Sequence, residues 1–84
     1  MKALSYTTLT QTTEAVIREH IGAAARDAEA GNGDSARYRR GVASGAFDLW
    51  QVLSLQHLDA MARASYAADF ARLSGIVSSE QPAT

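Results

Sequence analysis

An all-α domain is the fold class this sequence predicts, on three observations. Alanine is the commonest residue, the only proline is Pro82, and apolar side chains recur at spacings of three and four along most of the chain. Nothing between Thr8 and Val77 forbids helix. The expectation is therefore a small three-helix bundle, one domain over residues 1–77, with the polar residues 78–84 as a flexible tail.

The first helix is expected to start near Thr8, with Gln11 three residues on in a capping-box arrangement, and to run to about Ala30. Gly31-Asn32-Gly33-Asp34 breaks it. Gly31 suits the left-handed position that ends a helix, and Asp34 or Ser35 can accept the unpaired amide hydrogens of a second helix starting at Ala36. That helix should reach about Leu53, where Ser54 is a candidate N-cap for a third. Helices two and three are either separate or one kinked rod. Gly75 is the natural stop for helix three.

Helical spacing places Leu9, Thr13, Val16, Ile17, His20, Ala24 and Ala28 on one side of helix one. Helix two has two apolar strips: Tyr38, Val42, Ala46, Leu49 and Leu53, and beside them Ala43, Phe47 and Trp50. Together they exceed one packing face, so helix two is either the bundle's central helix or offers Phe47 and Trp50 to a partner. Gly41 and Gly45 weaken a helix interior, and close crossing by another helix is the expected offset. Helix three carries Leu55, Leu58, Ala62, Tyr66, Phe70 and Leu73 on one side. Its other side bears Ala60, Ala64, Ala67, Ala68 and Ala71, which reads either as plain exposed helix former or as a close-packed seam of a homodimer.

The formal charge of −1 over 84 residues argues against a strong overall field for nucleic acid or anionic membranes. With no cysteine, a disulfide scaffold, a thiol nucleophile and a thiolate zinc site are excluded, and two histidines make a poor metal site. No metal or cofactor is expected. There is no apolar run of spanning length and no signal-peptide core, so the expected location is the cytoplasm, without membrane contact. A chain this short buries only about 60–65% of the surface its unfolded form exposes, which makes a partner or self-association a natural support.

Two sets of polar residues stand out. Arg37, Arg39 and Arg40 occupy the first turns of helix two, where the helix dipole disfavours cations; as a binding cluster they would grip an acidic protein surface or phosphates. His20 and Asp69 fall within apolar stripes of helices one and three and are expected to meet as a satisfied core pair. His57 reads as a capping or surface residue, and Glu14/Arg18 and Asp59/Arg63 as i,i+4 ion pairs. No phosphate-binding, zinc-protease or calcium-loop motif occurs and no nucleophile constellation is spaced for catalysis, so enzyme activity is not expected.

The stretch from Tyr38 to Trp50, YRRGVASGAFDLW, resembles segments of small helical accessory proteins of phages and other bacterial mobile elements, a group that includes anti-CRISPR proteins. The alanine and arginine richness of the chain is similar too. This resemblance implies a non-enzymatic module that inhibits a bacterial defence or regulatory complex by binding it. The contact residues expected for such a role are Arg37, Arg39, Arg40, Phe47 and Trp50, with a homodimer through Ala60, Ala64, Ala67 and Ala71 as a further expectation. The alternatives are a helix-turn-helix-like DNA-binding regulator, with the helix from Ser35 in the major groove, and a structural subunit of a larger assembly.

Overall fold

The computed structural model describes residues 5–56 and 60–78. Three helices follow one another: α1 (Tyr6–Glu29), α2 (Gly33–Gln56) and α3 (Ala60–Ser78). The fold is all-α, and among the described residues there is no strand. At 1.5 Å rise per residue α1 and α2 each run about 36 Å and α3 about 28 Å.

Ser5, not Thr8, caps α1. Its backbone is extended and its Oγ accepts the Thr8 amide hydrogen at 3.0 Å. The earlier start winds Tyr6 into the helix, where its ring reaches Trp50 at 6.4 Å between centroids. At the other end the break is where the glycines place it. The Gly31 amide donates to Ala28 O (3.1 Å) and the Asn32 amide to Asp27 O (2.8 Å), the paired bonds of a Schellman turn, with Gly31 at φ +80°. Asn32 O then accepts the Ala36 amide, so α2 begins at Gly33 rather than Ala36, and Asp34 lies inside its first turn instead of capping it. Across the turn Ser35 Oγ donates to Asp27 Oδ2 at 2.7 Å, which closes the α1–α2 hairpin.

Two other expected boundaries give way to packing. Ser54 does not cap a helix; it is buried within α2, which continues to Gln56. Gly75 does not stop α3, because Leu73, Ile76 and Val77 on either side of it pack on the core and hold the last turn in place. Nor are α2 and α3 one rod. Phe47 touches Phe70 and Trp50 touches Tyr66, so residue numbers rise on one helix as they fall on the other and the two are antiparallel. His57, Leu58 and the Asp59 partner of Arg63 lie outside the described residues, as does the tail beyond Ser78.

The core is Leu9, Ile17, Ile21, Ala43, Trp50 and Leu73, with Tyr6, Ala46, Phe47, Leu53 and Tyr66 packed against it. On α2 the strip Ala43–Phe47–Trp50 therefore turns inward. Of the longer strip, Tyr38 and Leu49 turn outward, while Val42, Ala46 and Leu53 are half-buried and the last two pack on the core's edge. On α1, Val16 and His20 are only half-buried and Ala28 is exposed, while Thr10 and Ile21 are buried. The molecule is flat, 45 × 31 × 15 Å across its Cα positions, and a body this thin leaves every helix with one face in water.

Because Gly31 holds a left-handed backbone, Gly31→Ala should lower unfolding stability by about 1–2 kcal/mol. Gly33→Ala, with open space where the new Cβ would stand, should leave it unchanged or raise it. Urea titration followed by circular dichroism compares the two.

Candidate functional site

The five residues expected to contact a partner do not form one surface. Trp50 is wholly buried: Phe47 stacks on one side of it at 6.0 Å and Tyr66 at 5.1 Å, and its indole Nε1–H donates to Thr10 Oγ1 at 2.9 Å. Its side chain offers nothing to a partner of the folded monomer. Phe47 is half-buried between Trp50 and Phe70. Arg39 is half-buried and faces α1, where its Nη1 donates to His20 Nδ1 at 3.2 Å and its Nε lies 4.0 Å from Asp27 Oδ2. A guanidinium only donates, so in this hydrogen bond Nδ1 is the acceptor. Arg37 is exposed and pairs with Asp34 one turn back at 3.1 Å, and Arg40 is half-buried.

His20 and Asp69 do not meet. Asp69 instead anchors a polar clasp between α1 and α3. Tyr6 Oη donates to its Oδ2 at 2.6 Å and Arg72 Nη1 to its Oδ1 at 2.7 Å, while Arg72 Nε reaches Glu14 Oε1 at 3.1 Å. Glu14 Oε2 takes Arg18 Nε at 2.9 Å, the expected i,i+4 pair. Beside the clasp lies an open cleft of about 450 Å³, lined among others by Thr10, Gln11, Ser65 and Asp69. Both Asp69 oxygens and both Glu14 oxygens are occupied, so the arrangement joins helices. Burial first, and the hydrogen bond to Asp69 second, push the Tyr6 hydroxyl up to about 12. The Arg18 hydrogen bond is the main reason the Glu14 carboxyl lies below the usual carboxylate range. Among the described residues no cluster of three His, Asp or Glu side chains could hold a metal ion.

The surface that stands out is the outer face of α2. Tyr38 is 68% exposed, Leu49 58%, Val52 55% and Leu55 61%. Tyr38, Val42, Gly45, Leu49, Val52 and Gln56 follow one another at steps of four and three, the spacing of a coiled-coil seam. None of the six carries a charge. Gly41 and Gly45 lie on this face too, and a Cβ built on either would have nothing within 4 Å. The expected close crossing over these glycines is absent from the fold. Each costs about 1 kcal/mol of helix stability relative to alanine, and among the described residues no contact uses the space. Beside the stripe, Leu49 and Leu53 of α2 and Leu9 and Val16 of α1 border an apolar groove of about 300 Å³.

Sequence reasoning placed Tyr38 and Leu49 in the main packing stripe of helix two and left Trp50 either in a second packing strip or offered to a partner. The signal that would have separated them is the glycines: Gly41 and Gly45 flank the outer strip, and a strip interrupted by residues without side chains fills a core poorly. Ala64, Ala67, Ala68 and Ala71 of α3 are all exposed in the single chain. No family model, curated protein or solved structure matches the chain. The class this geometry defines is a small three-helix protein with one uncharged, outward-facing helix ridge.

The clasp makes stability depend on pH at both ends. Tyr6 has a raised value, so its contribution is complete below pH 10, the ordinary tyrosine value, and is lost as pH rises towards 12. Glu14 has a lowered value, so its contribution is complete above the ordinary carboxylate range and is lost as pH falls below it. Denaturant midpoints measured across pH should therefore show Tyr6→Phe flattening the alkaline loss and Glu14→Gln flattening part of the acid loss.

Proposed function

We propose that the protein is a non-enzymatic binding module that docks another polypeptide chain on the outer face of α2. The observation that carries this reading is the pairing of large exposed apolar side chains with open glycines along one helix face, whose central seam carries no charge and whose Gly41–Leu55 flank includes Asp48. Tyr38, Leu49, Val52 and Leu55 are the anchors, and roughly 500 Å² of their surface lies in water, near the top of the range for the largest patch on a typical monomer. Gly41 and Gly45 let a partner backbone approach closely. Arg37 stands exposed on the flank of the same helix, where it can orient an acidic partner.

The resemblance of residues 38–50 to phage and mobile-element accessory proteins makes a bacterial defence or regulatory complex the class of heterologous partner to test, with the module acting as an inhibitor. DNA binding draws less support. Arg39, at the centre of the three arginines that would face phosphates, is turned towards His20 and Asp27, and α1 is 24 residues long, well beyond the first helix of a helix-turn-helix pair.

The test is capture from nuclease-treated bacterial lysate by the tagged chain and by its Leu49→Glu/Val52→Glu variant. Both positions are exposed, so circular dichroism should report unchanged helix content. The expected result is a stoichiometric protein lost from the variant. A protein captured equally by both forms would remove this face from the binding surface.

A further inference from the structure

We infer that the outer face of α2 docks on its own copy, forming an antiparallel α2–α2′ dimer whose two-fold axis passes between Ala46 and Asp48. The inference rests on the reading of this face as a docking surface and names its occupant.

The face is self-complementary in one register. In an antiparallel pair with coiled-coil spacing, residues of the central seam that share a layer have numbers summing to a constant. With that constant at 94, Leu49 lies over Gly45 of the second copy, Val42 meets Val52, and Tyr38 lies across Gln56. On one flank, where facing numbers sum to 96, Leu55 lies over Gly41; on the other, where they sum to 92, Ala46 meets itself. Each exposed leucine thus finds a glycine, and each glycine that the monomer leaves over open space receives a side chain.

The area is that of a weak dimer whose population follows concentration. Tyr38, Leu49, Val52 and Leu55 bring roughly 500 Å² per copy, against about 800 Å² per partner in an interface of standard size. Val42, Leu53 and the bared backbone at Gly41 and Gly45 extend it towards that figure. No charge lies in the seam itself. Asp48 meets its own copy at the rim, an opposition that weakens the pair and marks the register. By contrast, Ala64, Ala67 and Ala71 of α3 offer a smooth face with no projecting side chain to lock it.

Sedimentation equilibrium of the full chain from about 1 to about 300 µM is the test, because the population of a dimer follows concentration. The wild-type chain should dimerise. Gly45→Glu should raise the dimer dissociation constant at least about tenfold while leaving the helix content of the dilute monomer equal or higher, since glutamate is the better helix former. Asp48→Asn should tighten the dimer by relieving the rim opposition. A wild-type chain that stays monomeric throughout overturns the inference. So does a dimer indifferent to Gly45→Glu; sensitivity to Ala67→Glu would then locate the seam on α3. Failure here is distinguishable from failure of the docking face: a monomeric chain whose captured partner is lost on Leu49→Glu/Val52→Glu still docks a different protein through α2.

Discussion

The indole of Trp50 is the contact on which the three helices depend. It stacks on Phe47 of its own helix and on Tyr66 of α3, leans on Tyr6 of α1, and gives its one polar hydrogen to Thr10. A side chain of this size, wholly buried, supplies a large share of the apolar area that an 84-residue chain can remove from water. The Nε1–H bond adds direction. It fixes the rotation of α2 about its axis against α1, and with that rotation fixed, everything opposite Trp50 on α2 must face outward.

The outward stripe is a consequence of the core's geometry. Leu49 precedes Trp50 by one residue, about 100° around the helix, so seating the tryptophan carries the leucine out of the interior. The same rotation sends Tyr38, Gly45 and Val52 outward and brings Ala43 and Phe47 in. α3 is held by other means. Its alanines give it little amphipathic character, and it is seated by Leu73, by the ring of Tyr66 on Trp50, and by the Asp69–Arg72 clasp to Tyr6 and Glu14.

Charge in this molecule is used mainly for joining helices. Asp27 binds Ser35 across the hairpin and lies near Arg39, which also holds His20. Arg72 spans Asp69 and Glu14 between α3 and α1. An arginine cluster that looked in sequence like a ligand grip is divided by the helical turn. Arg39 faces inward to the hairpin and Arg37 outward to solvent, so the two serve different surfaces.

Features set by neighbours along the chain were legible in the sequence by itself: helix throughout, the break at Gly31–Asn32, and the Glu14–Arg18 pair. Each rests on backbone preference or on spacing within one turn, which need no knowledge of the fold. Element ends were less legible, because Ser5, Ser54 and Gly75 were decided by what Tyr6, Trp50 and Leu73 had to reach. The faces of α2 and the partners of His20 and Asp69 were decided by tertiary structure alone. Two apolar strips lie side by side on one helix, and the presence of Thr10 as acceptor and Tyr66 as stacking partner makes the inside the better place for Trp50 than for Leu49.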